Sequence, residues 1–340
     1  MFRLTSPIVH GWRSALLTVA LTAFATRVPA VDVSPRPLEV GHAERLLVVA
    51  PHPDDETIGA GGLIQRVLAR GGSVRIVLVT AGDGYIEAVV HETGKLQPPP
   101  TQYIEYGQRR LREARAAVRV LDGGDHLRMQ FLGFPDGGLQ GLLRAHWWRT
   151  RPERSSTTDA TDPPYDEAVE PDVPYDGADL RRELDNIFRE TRPTIVALPH
   201  PRDKHPDHRA TGLFTLLALH DYLTATHAAR PRLLAYLVHW PDWPPGWNAS
   251  SPSEVPSDAP LALPPNLPRH PRARVSLNLS PQESETKRAA LAKYGSQQQV
   301  MASFLAAFVR RTEPFITLSP AELYQIGHWI ERGAPRTPKK

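Results

Sequence analysis

The chain has 340 residues with no cysteine and 35 prolines, and its 40 basic and 37 acidic side chains leave a formal charge of +3. Disulfides, thiolate nucleophiles, Cys-based zinc sites and lipid attachment through an N-terminal Cys are excluded together. The length permits one large domain or two small ones, and a proline share about twice the usual one predicts long, stiff surface loops.

In chain order, Arg3 and Arg13 precede an apolar run over residues 15–25, and Ala23-Phe24-Ala25 has the small-x-small form of a cleavage site. This is the pattern of a secretory signal peptide over residues 1–25, with a second site for the cut after Ala30. The run is too short to cross about 30 Å of hydrocarbon, so no stable membrane span is expected after cleavage. The export signal carries two of the three net positive charges, and Arg27 is the third if the cut follows Ala30. No basic patch is left to suggest a nucleic-acid partner.

"RLLVVAP" (45–51) and "VRIVLVT" (74–80) read as buried strands, joined by the amphipathic "ETIGAGGLIQRVLARGG". Strand, helix and strand with short links predict a parallel βαβ unit. A long helix fits 104–121, and "LRMQFLGF" (127–134) is a third strand. A polar, Pro-rich stretch over 152–176 precedes a helix at 178–190, a strand at 194–199, a helix at 209–222 and the strand "LLAYLVHW" (233–240). A second Pro-rich stretch, 241–272, holds Trp243 and Trp247. The strand "RVSLNL" and a helix from Gln282 to about Gln297 close the series. The alternation predicts one α/β sandwich with a mostly parallel sheet, over about residues 40–330, carrying two surface insertions at 152–176 and 241–272.

Sites in parallel sheets form beyond the carboxyl ends of the strands. "PHPDDE" (51–56) and "PHPRDKHPDH" (199–208) both begin where a predicted strand ends, so both reach the same rim. They bring His52, Asp54 and Asp55 towards His200, Asp203, His205, Asp207 and His208. Two histidines and a carboxylate with further acids nearby suit a catalytic divalent metal that keeps a position open. Taken singly, Asp54 or Asp55 could be a helix N-cap, and His205 and His208 could be solvent-facing residues of a helix start.

The two motifs resemble those of the PIG-L/LmbE family of zinc-dependent N-deacetylases, which act on N-acetylglucosamine-type sugars. The resemblance runs from about residue 45 to 299 and includes "RRLRE" (109–113), "FLGFPDGG" (131–138) and "KRAAL…YGSQ" (287–297). It implies a Rossmann-like three-layer α/β sandwich and a Zn²⁺ site, or one for another divalent cation such as Fe²⁺. His52, Asp55 and His208 fall at the family's metal ligands. Asp54 falls at the general base, His205 at the catalytic histidine, and Asp207 at the carboxylate that orients it. Arg110, Asp136 and Asp203 fall at or beside substrate contacts. Pro51 stands where the family has alanine, and the two insertions have no counterpart in the smallest members.

The function so implied is release of acetate from an N-acetylated sugar, glycan or glycoconjugate by an exported, periplasmic or extracellular enzyme. Two other readings fit parts of the sequence. A secreted glycan-binding module could keep the fold without turnover, and His52-Pro53-Asp54 with a distant histidine fits the facial triad of iron(II) oxygenases. Trp243 and Trp247 are expected to line an extended cleft for a substrate larger than a monosaccharide. Arg110 is expected either at the substrate or in a surface pair with Glu113.

Overall fold

The fold is described from a computed structural model over residues 34–123, 127–267 and 273–319. The export signal expected at the N-terminus lies outside the described residues. All elements below belong to the unit that begins at Pro35.

The elements run β1 (Arg36–Pro37), β2 (Arg45–Ala50), α1 (Asp55–Ala69), β3 (Ser73–Leu78), α2 (Ile86–Thr93), α3 (Pro100–Asp122) and β4 (Leu127–Phe131). After them come α4 (Leu139–Arg144), α5 (Gly177–Thr191), β5 (Ile195–Pro199), α6 (Pro206–Thr226) and β6 (Arg232–Tyr236). The series ends with β7 (Arg274–Asn278), α7 (Pro281–Leu291), α8 (Gly295–Ala306) and β8 (Thr312–Thr317). The strands form one sheet in the order β1-β7-β8-β6-β5-β2-β3-β4. Pairing is parallel except where β8 lies antiparallel between β6 and β7. The mostly parallel α/β architecture read from the sequence is therefore the observed one.

The central strands are apolar over most of their length because both faces are covered, as parallel sheets require; the charged exceptions, Arg45 and Arg75, lie towards the amino ends of β2 and β3. Leu46, Val48 and Ala50 of β2 belong to one core with Ile76 and Ala197, while Leu47 and Val49 belong to the other with Val77 and Val196. Helices α1, α3 and α7 pack together on the first side, and α4, α5 and α6 on the second. Gly59 lets α1 lie on the sheet: a Cβ there would stand 2.4 Å from the Tyr236 ring, whose hydroxyl donates to the Val49 carbonyl at 2.8 Å.

Several boundaries move for local reasons. Helix α6 starts at Pro206, not Arg209, because proline suits the first helical turn and His205 caps it by accepting the Asp207 N–H. The single helix expected from Gln282 is two, α7 and α8; α7 opens with a Ser280/Glu283 capping box. The Pro-rich stretches contain little regular structure, yet they are not merely surface. Tyr165, Tyr175 and Trp243 are buried in the two cores.

One buried acid in this framework makes a measurable prediction. Glu183 lies on the buried stripe of α5 with Leu180 and Ile187, and neither carboxylate oxygen has a hydrogen-bond partner among the described residues. Burial, reinforced by Glu170, pushes its pKa up to about 8. Between the ordinary carboxylate range and about 8 the folded state keeps a proton that the unfolded state releases. Stability should thus fall as pH rises through that window, by at most about 1.4 kcal/mol per pH unit from this group. Glu183→Gln is expected to raise the Tm, with a gain over the wild type that grows from pH 5 to 8 and then levels off. A gain independent of pH would show that the carboxyl is ionised in the folded protein.

Candidate active site

The sheet order reverses beside β2. The chain passes from β2 outward to β3 and β4, then returns to β5 on the other flank and continues to β6. Loops leaving the carboxyl ends of β2 and β5 therefore diverge, and a crevice opens at this switch point. "PHPDDE" leaves β2 and "PHPRDKHPDH" leaves β5. A pocket of ≈ 390 Å³ lies there, with His52, Asp54, Asp55, Arg110, Asp136 and His205 among its walls.

His52 stands between two carboxylates, its Nδ1 3.0 Å from Asp55 Oδ2 and its Nε2 3.1 Å from Asp136 Oδ1. Asp55 Oδ2 is also 3.2 Å from His208 Nε2, so one oxygen lies between the two imidazoles. His208 is fully buried, and neither ring nitrogen makes an aligned hydrogen bond among the described residues. His52 and Asp55 are hydrogen-bonded, but the buried His208 ring, 3.2 Å from the same oxygen, leaves ligand capacity for a third party. The donor atoms of His52, His205 and His208 also lie within 4.8 Å of one another, as do those of His52, Asp136 and Asp207.

The charges agree with a cation site. Burial opposes a charge on His208, but Asp55 and Asp203 overcome it and push its pKa up to about 9. His52 is likewise raised against burial by Asp136, and Asp55 is held well below the usual range by His208. The carboxylates thus favour positive charge where a metal would sit.

Asp54 is not a helix cap of the ordinary kind. It occupies the N-cap of α1 with φ 124° and makes no side-chain capping bond. Its carboxylate instead takes Arg110 Nη2 at 3.0 Å, and burial pushes its pKa up to about 8 despite that guanidinium. Asp54 and Asp55, adjacent in sequence, therefore face different partners.

Four expectations need correction. Asp203, placed at the substrate, is fully buried and not part of the pocket wall; its oxygens hold the backbone N–H groups of His205, Val238 and His239 at 2.9–3.0 Å. The Asp207 carboxylate does not orient His205. It accepts from the Gly137 and Leu139 N–H groups and lies 3.6 Å from His52, and its link to His205 runs through its own backbone N–H. Arg110 reaches the pocket, but its guanidinium is taken up by the Gly82 and Pro53 carbonyls and Asp54, and Glu113 bonds Ser296 instead. Trp243 is core, 5% exposed and edge-on to Phe308; neither it nor Trp247 lines the pocket.

Other walls were not foreseen. Tyr85 and Glu87 come from the start of α2, and Gln297, Met301 and Phe304 from α8, which departs from helical angles at Met301. His239, two residues beyond Leu237 after β6, stacks on Phe304 and stands 4.8 Å and 5.1 Å, ring to ring, from His208 and His205. The "YGSQ" motif carried the signal for Gln297; an isolated histidine after an apolar strand carried none.

A pocket of imidazoles and carboxylates at the switch point of a parallel sheet is the framework of an enzyme that holds its ligand at the carboxyl rim. The profile of the PIG-L family, described as GlcNAc-PI de-N-acetylase, matches residues 47–219 and so spans half of the chain and both motifs. The chain belongs to the PIG-L family. It is 28% identical over 283 residues to a 1D-myo-inositol 2-acetamido-2-deoxy-alpha-D-glucopyranoside deacetylase of Tsukamurella paurometabola, covering 78% of this chain and 86% of that one. A protein of the same description from Kineococcus radiotolerans is 31% identical over 180 residues, 52% of this chain and 44% of its own length. Among solved structures, the 4-carboxy-2-hydroxymuconate hydratase GalB of Pseudomonas putida shares the fold at TM-score 0.50 and 14% identity, covering 83% of this chain and 97% of that one. The N,N'-diacetylchitobiose deacetylase of Pyrococcus horikoshii superposes at TM-score 0.47 with 18% identity, over 83% and 86% of the two chains.

Proposed function

We propose that the protein hydrolyses the N-acetyl amide of an N-acetylglucosamine-type sugar or glycoconjugate with the aid of a divalent cation, zinc in the first instance. The observation that carries this reading is the buried His208, 3.2 Å from Asp55 and 3.5 Å from Asp203 with no aligned hydrogen bond among the described residues, facing Asp55 and His52 beside a separate carboxylate, Asp54. His52, Asp55 and His208 would hold the cation. When bound, it supplies Lewis acidity, polarising the amide carbonyl and lowering the pKa of nearby water.

The chain's own groups do the rest. Asp54 is the base: burial raises its affinity for a proton, and Arg110 keeps its ionised form accessible and its carboxylate aimed. His205 accepts the Asp207 N–H at Nδ1, which leaves its proton on Nε2. Burial, with His52 and His208 close by, pushes its pKa down to about 2, so it stays neutral. A neutral Nε2–H in the pocket is a hydrogen-bond donor for the developing oxyanion, not an imidazolium acid. Asp136 and Asp207 steady His52 from the side opposite Asp55.

Neither other reading is favoured. The α/β sheet differs from the all-β barrel in which facial-triad oxygenases are usually built, and a binding module would not require an acid poised as Asp54 is. The deciding experiment is acetate release from a panel of N-acetylated mono- and oligosaccharides by metal-replete protein. Binding without acetate from any member would replace hydrolysis by recognition. Export is part of the proposal, motivated by residues 1–25. N-terminal sequencing checks it, and an intact Met1 on soluble cytoplasmic protein would refute it.

A further inference from the structure

We propose that Glu56 and Tyr294 are positioning residues for Asp54, holding its backbone in a left-handed conformation so that two consecutive carboxylates serve different tasks. The inference rests on the reading of Asp54 as the base.

The observation behind it is the backbone of Asp54, at φ 124° and ψ −33°. A residue with a side chain stays in this region only where its surroundings fix it on several sides. The Asp54 carbonyl accepts the Thr57 and Ile58 N–H groups, 3.0 and 2.8 Å away, in the first turn of α1. Its side chain is held by Arg110. Its own N–H, the remaining handle, donates to Glu56 Oε2 at 3.1 Å.

Glu56 has no other evident task. It is fully buried and absent from the pocket wall, so it touches no substrate. No cationic side chain pairs with it among the described residues; its second oxygen, Oε1, receives the Tyr294 hydroxyl and the Thr57 hydroxyl, the latter at 3.0 Å. The two hydroxyls are themselves 3.0 Å apart, which closes a ring of three side chains. Burying a carboxyl for packing alone is unfavourable when a leucine or methionine would fill the space. What a carboxyl adds is two acceptor edges, one for the Asp54 N–H and one for the hydroxyl pair. Tyr294, fully buried at the N-cap of α8, ties this ring to the helix that supplies Gln297, Met301 and Phe304 to the pocket wall. The turn at Asp54 is thereby tied to the start of α8. Asp55 faces His52 and His208, while Asp54 faces Arg110 and the cavity.

The test compares Glu56→Gln, Glu56→Ala and Tyr294→Phe, each alone and combined with Asp54→Asn. It measures kcat and KM on an N-acetyl sugar that the wild type turns over, bound zinc, and the crystal structure of each stable variant. Glu56→Ala should lower kcat about 10- to 100-fold, the loss that a small misplacement of a reacting group produces, with KM and zinc content unchanged. Tyr294→Phe should lower it less. Glu56→Gln should recover part of the rate, because its amide oxygen still accepts the Asp54 N–H. In the Asp54→Asn background Glu56→Ala should cause no further loss, since the residue acts only through Asp54. Crystals of Glu56→Ala should show Asp54 relaxed to negative φ. Equal losses in both backgrounds, a loss of zinc parallel to kcat, or unchanged kcat with φ still positive would overturn the proposal. If the wild type releases no acetate, the functional reading has failed, and the crystal structures still decide whether Glu56 sets the backbone of Asp54.

Discussion

Asp54→Asn should keep its metal and lose about two to four orders of magnitude in kcat, the range that removal of a general base covers. The substitution changes little besides proton affinity. Asparagine has the same shape and is among the side chains most tolerant of positive φ, which position 54 demands. Arg110 would keep the Gly82 and Pro53 carbonyls and gain an amide oxygen, so its charge is not stranded in the interior. The neighbouring change, Asp55→Asn, should do the opposite and release the metal, because the oxygen between His52 and His208 loses its charge. Steady-state kinetics with elemental analysis of both variants separates the assignments. If Asp54→Asn loses metal and Asp55→Asn keeps it, the two carboxylates have been assigned in the wrong order.

His208→Ala should weaken zinc binding by more than the roughly 10- to 100-fold that loss of an outer hydrogen-bonding partner costs a metal site. A ligand is removed outright, and Asp55 loses one of the two imidazoles beside its Oδ2. Calorimetric titration reads this directly. Thermal shift reads it independently: the wild type should gain about 2.7 kcal/mol of stability at zinc one hundred-fold above Kd, and the variant far less at the same concentration. The experiment also discriminates between ligand sets. If the cation is held by His52, Asp136 and Asp207, the other close grouping, His208→Ala will retain it and Asp207→Asn will not.

Where the sequence was readable, burial on both faces made it so. Strands β2 and β5 are apolar from Leu46 to Ala50 and from Ile195 to Pro199, β3 is apolar apart from Ser73 and Arg75, and the two motifs follow the ends of β2 and β5. Strand β8 escaped because it reads "TEPFIT": proline and glutamate argue against an interior strand, yet Pro314 is paired with Ser276 inside the sheet. Its Glu313 is satisfied there by Lys287 at 2.7 Å and by the Gly62 and Leu63 N–H groups. Such partners are brought in by tertiary structure and leave no local pattern. The same holds at the site. "PHPRDKHPDH" names the residue types that gather at the rim, but Asp203 and Asp207 are chemically alike, and only packing sends both to backbone N–H groups instead of to substrate or to His205. Trp243 failed for the converse reason. A Pro-rich setting suggested solvent, while the ring had a core to enter and a carbonyl, that of Ala262, for its N–H.

The place of β8 has a consequence for the order in which the chain can be completed. Residues 312–317, late in the chain, fill the slot between β6 and β7, and until they arrive β6 is an edge whose backbone groups have no neighbour on that side. A nascent or truncated chain ending near residue 310 already contains every described residue that lines the pocket, yet it presents an open apolar edge able to recruit another copy. Possession of the pocket residues and closure of the sheet are thereby separated along the length of the chain. Release of such a truncated form is expected to give aggregates detectable by light scattering, and a monodisperse product would show that β8 is dispensable for closing the sheet.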